Sequence, residues 1–486
     1  MNITDVIPVR AEVGLLNLAA STSFLRPTAA GFLERVAYNR LIQVNNDHFP
    51  EQIQHDKLAM IKSMIHSAET GLSRGLIGSS ARNKLAEVFL GKIVYKPNEL
   101  RRLFMEKHGM FPPGFVLISP TARCNLKCKG CYAGSDATRN VTLPYDMVNR
   151  ILNEKVKLWG SHFTVVSGGE PFMYKDGGKT LLDIFEQHPD QYFLVYTNGT
   201  LITPDVARRL GEMGNVTPAV SVEGFEKETD DRRGNGAFKR ILKAFDNLRR
   251  EGVPFGISTT AFKHNCERIQ SDEFIRFFSE EQGALYQWIF QYMPIGRSFT
   301  LDMMVTPEQR LHMYDRTWEL VRERNLFVAD FWNSGTVANG CIAAGGSYGG
   351  GYMYIDWNGA ISPCAFYPFS VHNIKDLYAA GGDLNTALFA PLFTKIRSWQ
   401  REYFDDKPNY EKGNLLVPCP IRDHHRQARA IVDEVNARPI DEDGARALGD
   451  SSYCRGMIEY GEKVDCLSCS LWKERYLALK KQMKSA

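Results

Sequence analysis

Between residues 112 and 305, six short apolar runs alternate with helix-like stretches. The runs lie at 115–120, 163–167, 192–196, 217–221, 255–260 and 287–293, with helical spacing in segments such as 144–159, 203–212 and 236–251. Strand, helix, strand in succession favours parallel pairing through right-handed crossovers. The chain therefore predicts an α/β fold with a parallel sheet and helices outside it. In a parallel barrel, sites are built on the loops that follow the strands.

The loop after the first run reads CNLKCKGCY and carries Cys124, Cys128 and Cys131. Zinc sites usually use paired C-x2-C units, and the x3 step between Cys124 and Cys128 does not fit that pattern. Three thiolates suit a four-iron, four-sulfur cluster with one iron left without a protein ligand, whereas clusters that only pass electrons normally take four cysteines. Three structural thiols or a zinc site are the alternatives. The later runs also end in distinctive loops. Gly168-Gly169-Glu170-Pro171 follows the second, Tyr196-Thr197-Asn198-Gly199-Thr200 the third, and Ser221-Val222-Glu223-Gly224 the fourth, with Asp230 and Arg233-Gly234 shortly after.

In this order the motifs resemble the radical S-adenosylmethionine (SAM) superfamily over about residues 115–300. The resemblance implies a partial six-unit (β/α) barrel. It also implies a cluster on Cys124, Cys128 and Cys131 whose open iron is chelated by SAM. Gly168, Gly169, Glu170 and Pro171 would lie along the SAM amino group, since glycine lets backbone approach closely. Asn198, Ser221 and Glu223 would reach the ribose or amino acid portion, and Arg233 would pair with the carboxylate. Two positions depart from the family pattern. Gly130 stands where an aromatic residue usually precedes the third cysteine, and Glu223 gives the fourth loop a longer carboxylate.

Six further cysteines lie at 341, 364, 419, 454, 466 and 469. YMYID and AISPC are strand-like runs joined by Trp357-Asn358-Gly359, a hairpin signal. Cysteines on either side of such a hairpin resemble the SPASM or twitch extension of radical SAM enzymes. That implies one or two auxiliary clusters drawing on Cys341, Cys364, Cys419, Cys454, Cys466 and Cys469. The usual dense later cysteine run is absent, and one zinc or unligated thiols remain the alternative. Cys266 has no partner spacing and reads as structural. Arg422-Asp423-His424-His425 reads as the solvated start of a helix. Gly345 to Gly351 reads as a close-packed loop. The expected organisation is a helical region at 1–110 with Ser79-Ser80 capping its third helix, a barrel at 111–305, a connecting helix at 306–334 and an α+β iron–sulfur extension at 335–486.

The resemblance implies that an electron from a reductant such as flavodoxin or ferredoxin cleaves SAM. Methionine and a 5′-deoxyadenosyl radical result, and the radical takes hydrogen from a peptide, protein, lipid or cofactor precursor. Lys plus Arg numbers 59 against 56 Asp plus Glu, with no long basic run, which argues against nucleic acid as partner. No apolar run is long enough for a transmembrane segment. The start of the chain carries no secretory pattern, so a cytoplasmic location with reduced thiols is expected. The rival reading is a non-catalytic iron–sulfur or zinc protein, an electron carrier or redox scaffold. Arg297, at the end of the sixth run, reads equally as a SAM or substrate contact or as a surface residue.

Overall fold

The structure, a computed structural model, describes residues 22, 24–44, 49–95, 99–297, 299–346, 351–408 and 411–477. Strands β1 (Phe115–Ile118), β2 (Phe163–Val166), β3 (Tyr192–Thr197), β4 (Val216–Ser221), β5 (Gly256–Ala261) and β6 (Gln287–Gln291) stand side by side in chain order, all parallel. The α/β fold and the six parallel units are thus as expected. Helices close the intervals, including α1 (Tyr145–Trp159), α2 (Pro204–Met213) and α3 (Ala237–Arg250). Local chemistry sets their ends. Pro204 opens α2 behind a Thr203 cap, and left-handed Gly160 and Gly214 end α1 and α2. On α3, Phe238, Ile241, Ala244, Phe245 and Leu248 form one buried stripe against the sheet.

The sheet does not stop at the expected barrel boundary. After a helix at Pro307–Arg322, β7 (Val328–Asp330) extends it in parallel beside β6. On the opposite edge, β8 (Tyr352–Ile355) pairs in parallel with β1, followed by antiparallel β9 (Ala360–Ser362) and β10 (His372–Asn373). The predicted hairpin at 352–364 is therefore formed, and one of its strands belongs to the main sheet.

The described part of residues 1–110 is helical, as expected. Its long helix, Glu51–Ser73, is tied to distant parts of the chain through buried Asp56, which accepts from Arg322 (2.5 Å), Thr336 (2.9 Å) and Tyr476 (2.7 Å). Ser79 and Ser80 do not cap the next helix. Gly78 precedes it, with its N–H on the Gly252 carbonyl at 2.8 Å. A side chain at Gly214 would strike the Ser80 backbone at about 2.4 Å. Gly214 and Gly252 precede β4 and β5, so this region closes the end of the barrel opposite the rim loops. No described helix is long and apolar enough to cross a membrane.

Candidate active site

The rim loops meet around the first three cysteines. The two glycines after β2 are demanded by closeness to the chain entering Cys124. A Cβ on Gly169 would lie 2.1 Å from the Arg123 carbonyl oxygen, and Gly168 has φ +127°. Gly169 N–H donates to Thr121 O (2.9 Å) and Glu170 N–H to Arg123 O (2.7 Å). Glu170 is buried and accepts from the Thr197 hydroxyl (2.6 Å), Asn198 N–H (2.8 Å) and Phe172 N–H (3.2 Å). Burial raises its carboxyl above the usual range against these hydrogen bonds. Three of a carboxylate's roughly four acceptor positions are thus taken inside the protein. Glu170 mainly pins the β2 loop to the β3 loop, which limits its expected role beside an ammonium. Pro171 is buried and opens a short 3-10 turn.

Donors point at the sulfurs. The Asn198 amide lies 3.9 Å from Cys124 Sγ and 2.9 Å from Asn125 Oδ1. Leu126 N–H reaches Cys124 Sγ at 3.5 Å, and Arg233 lies 4.0 Å from Cys128 Sγ. Burial pushes the Cys124 thiol up to about 12, eased by the Leu126 N–H. Burial also raises Cys128, moderated by Arg233 and Arg232. Such thiols are protonated at neutral pH, and a metal that takes them as thiolates must displace protons.

Glu223 and Arg233, both expected to face SAM, face each other instead. Arg233 Nε and Nη2 reach the two carboxylate oxygens at 2.5 and 2.7 Å, and Arg232 joins the same carboxylate. Burial raises Glu223, but the two guanidiniums outweigh it and hold the carboxyl below its usual range. Ser221 ends β4 half-buried, in register beside Ser258 of β5.

Arg297 is neither a surface residue nor free to contact a ligand. It straps the cysteine loop, donating from its backbone to Cys131 O (3.0 Å) and from its side chain to Cys128 O (3.0 Å), Ser135 O (2.8 Å), Gly134 O (3.2 Å) and Asp136 (3.3 Å). Gly130 sits at φ +60°, and a Cβ there would lie 2.9 Å from the Tyr292 ring, which stacks on Phe262 at 5.1 Å. The aromatic missing at position 130 is matched by one arriving from the end of β6.

Residues 118–272 match the family described as the radical SAM superfamily. The AdoMet-dependent heme synthase of Methanosarcina barkeri is 27% identical over 296 residues, covering 54% of this chain and 80% of that protein. The mycofactocin maturase MftC of Mycolicibacterium smegmatis is 28% identical over 305 residues, covering 60% and 75%. The chain carries a radical SAM domain. Streptococcus suis SuiB, solved with its precursor peptide SuiA, shares the fold at a TM-score of 0.52 and 18% identity, covering 76% of this chain and 88% of that one.

Beyond the radical SAM domain lies a C-terminal extension in which three of the six later cysteines converge. Cys341 and Cys419 share a hydrogen bond that holds Cys341 well above and Cys419 below the ordinary thiol range, and Cys364 lies close to both. Cys364 Sγ accepts from the Tyr352 hydroxyl (2.9 Å) and Phe366 N–H (3.4 Å). The Trp332 indole N–H faces Cys419, yet it is buried without a well-formed acceptor among the described residues. The other three cysteines stand on one helix, Ser451–Trp472. Cys466 is exposed, and Cys454 lines a surface cleft beside Arg426, Arg429 and Arg455. At 1.5 Å per residue, Cys454 and Cys466 are about 18 Å apart along the helix axis, too far to share one cluster. Among the described residues, no three His, Cys, Asp or Glu side chains crowd closely enough for a single metal ion. A cubane attaches each cysteine to a different iron, so its ligands stand farther apart than those of one ion.

The Arg422–His425 run is the clearest correction. It is not solvated: Arg422, Asp423 and His425 are all buried. Asp423 pairs with buried Arg310 at 2.5 and 3.1 Å and accepts from Cys419 N–H at 3.1 Å, fixing the third cysteine. Cys266 is buried with its thiol raised by burial, and Gly351 packs against the backbone of Gly346 and Ile342. Sequence reasoning overlooked Arg232, whose only signal was adjacency to Arg233. It also overlooked Ser258, which only strand register places beside Ser221.

Proposed function

We propose that Cys124, Cys128 and Cys131 hold a four-iron, four-sulfur cluster at which SAM is reductively cleaved, and that the product radical takes hydrogen from a substrate bound in the barrel. The convergence of the cysteine loop with the glycine loop and with Asn198 and Arg233 supports this reading most. Three N–H donors already aimed at two of the sulfurs suit thiolate ligands, which accept charge-assisted hydrogen bonds. When bound, the cluster and SAM supply one-electron scission of a carbon–sulfur bond and a hydrogen-abstracting fragment.

The protein's own residues hold and orient. Gly168 and Gly169 bring the β2 loop against the chain entering Cys124. Glu170 locks that loop to Asn198, and Arg297 fixes the carbonyls of Cys128 and Cys131. The Glu223–Arg232–Arg233 group places positive charge beside Cys128. Ser221 and Ser258 offer hydroxyls from adjacent strands toward the same mouth. Cys341, Cys364 and Cys419 would hold an auxiliary cluster, with the unpaired Trp332 N–H available to a sulfur there. An external one-electron reductant is required. The substrate would be a peptide, as the precursor peptide SuiA is bound by SuiB, or a cofactor precursor.

The test is anaerobic reconstitution of wild type and of the Cys124/Cys128/Cys131→Ala variant with SAM and dithionite. Wild type should release 5′-deoxyadenosine and the variant none. Equal release from both would sink the proposal. A non-catalytic iron–sulfur scaffold predicts no SAM binding by either protein.

A further inference from the structure

On most strands of this sheet, the side chains facing the barrel interior are more accessible than those facing the helices. β1 alternates so that Phe115 and Leu117 are partly accessible while Val116 and Ile118 are buried, and β6 does the same with Trp288 and Phe290 against Gln287, Ile289 and Gln291. Register places these accessible residues on one face with Phe163 and Tyr196, where several pack around buried Val165, Leu194 and Ala219. A closed barrel shows the opposite pattern, because its interior is filled by its own side chains. Large apolar groups left accessible on an enclosed concave face mark a ligand-binding surface, since each leaves apolar area in contact with water.

The face is uncharged. From β1 to β7 the positions on it are apolar, aromatic, glycine, serine or threonine, with no Lys, Arg, Asp or Glu. At the rim, Arg232 and Arg233 are bound to Glu223, and Arg232 also donates to the Thr260 hydroxyl (2.9 Å) near the rim end of β5, so the face is free of charge only below that point. A carboxylate brought onto this face below the rim would lose its hydration without gaining a partner.

One polar group stands at the mouth end of this face. Four tyrosines nearby have committed hydroxyls: Tyr132 to Ser167, Tyr286 to Thr217 and Pro218, Tyr352 to Cys364 and Tyr354 to Ser119. The Tyr196 hydroxyl has no hydrogen-bond partner among the described residues, while its ring meets Phe290 edge-on at 5.3 Å. Its surroundings raise it well above the usual phenol range, chiefly by burial, so it remains a donor at neutral pH. Tyr196 leads directly into Thr197 and Asn198, which contact Glu170 and Cys124. The chamber is therefore continuous with the cofactor mouth.

We propose that this face is a substrate chamber for an uncharged, ring-sized group, aromatic or branched apolar, and that the Tyr196 hydroxyl orients it by hydrogen bonding. The proposal rests on the radical SAM reading only for the identity of the mouth above it. The group presented for hydrogen abstraction is then apolar, and any carboxylates of the substrate stay outside the barrel.

The test uses SAM-loaded, reconstituted holoenzyme in equilibrium dialysis with two probes, 4-ethylphenol and 4-hydroxyphenylacetate. They share a ring and a hydroxyl and differ in charge. The uncharged probe should bind at least about ten-fold more tightly, the scale expected for an unpaired carboxylate on an apolar face. Tyr196→Phe should weaken it several-fold, and Leu117→Trp, which fills the chamber, should abolish binding. If Leu117→Trp fails to fold by circular dichroism, Phe290→Leu replaces it, with several-fold weaker binding expected. Equal binding of the two probes, no binding by wild type, or wild-type binding in the filled or Phe290→Leu variant would each overturn the proposal. Release of 5′-deoxyadenosine is measured on the same wild-type samples. Its absence would remove the enzymatic reading, whereas the probe preference judges the chamber alone.

Discussion

Arg233 and Glu223 form a two-pronged ion pair at 2.5 and 2.7 Å, with side-chain exposures of 9% and 1%. The same guanidinium lies 4.0 Å from Cys128 Sγ. A buried carboxylate serving two arginines is a fixed part of the protein, and its removal leaves uncompensated charge.

Glu223→Gln should therefore destabilise the protein by about 3–5 kcal/mol, the usual cost of breaking a buried pair from one side. Arg233→Lys keeps the charge and loses the fork, so it should cost less while still lowering iron retention. Anaerobic urea titration and iron analysis read both effects. An unchanged urea midpoint in Glu223→Gln would show that the pair is not holding the rim.

Arg297 is more exposed than this pair, at 20%, and most of its bonds go to backbone carbonyls of the cysteine loop. Arg297→Met should leave the fold nearly intact and loosen the loop. Iron per chain after reconstitution should fall while far-ultraviolet circular dichroism stays the same. Full iron occupancy would mean that the loop is held elsewhere.

Much of this architecture was legible in the chain. Six strand runs fell within a few residues of their positions because buried parallel strands read as continuous apolar segments such as FTVV and YFLV. The rim motifs were legible because glycine and proline punctuate loops. Side-chain direction at the rim was not. Glu170, Glu223, Arg233 and Arg297 carry charges that suit SAM, yet they contact protein, and only three-dimensional proximity reveals the partner. Arg422 to His425 misled for a related reason. A polar run reads as solvated unless its partner is known, and Arg310 lies 113 residues from Asp423. Strand β7 was hidden inside the expected connecting helix, and β8 was legible only as a hairpin strand, since a short apolar run does not say which sheet it joins.

The Gly169 contact gives a steric prediction. Gly169→Ala would place a methyl 2.1 Å from the Arg123 carbonyl, which cannot shift without moving Cys124. The variant should be poorly soluble or reconstitute little iron. Gly31→Ala, on a helix where a Cβ meets nothing within 4 Å, should be neutral or stabilising by up to about 1 kcal/mol. Similar behaviour of the two variants in thermal melts and iron analysis would refute the steric argument.

Asp423 carries a pH prediction. Burial raises its carboxyl, but Arg310 outweighs burial and holds it below the usual range. A carboxyl depressed in the folded state contributes stability that is complete above the unfolded value, about 3.9, and is lost as pH falls through the folded value. Wild type should therefore lose stability more steeply than Asp423→Asn below about pH 4, while the variant is weaker by about 3–5 kcal/mol at neutral pH. Urea midpoints across pH 3 to 7 decide it. Parallel curves would remove Asp423 as the source of the acid sensitivity.

The C-terminal cysteines divide into a convergent trio and a helical set, and iron stoichiometry separates them. In the Cys124/Cys128/Cys131→Ala background, residual iron should be about four per chain, one cluster's worth. Adding Cys364→Ala should remove it, because Cys364 lies near both Cys341 and Cys419 and anchors the hairpin end of the site. Adding Cys466→Ala should leave it, because Cys466 is exposed. The Cys454→Ala change should also leave it, since Cys454 lines a surface cleft with Arg426, Arg429 and Arg455 and not the site of the trio. Loss of iron on removing Cys466 or Cys454, with Cys364 dispensable, would move the auxiliary site to the helix and leave the Trp332 N–H without a sulfur to serve.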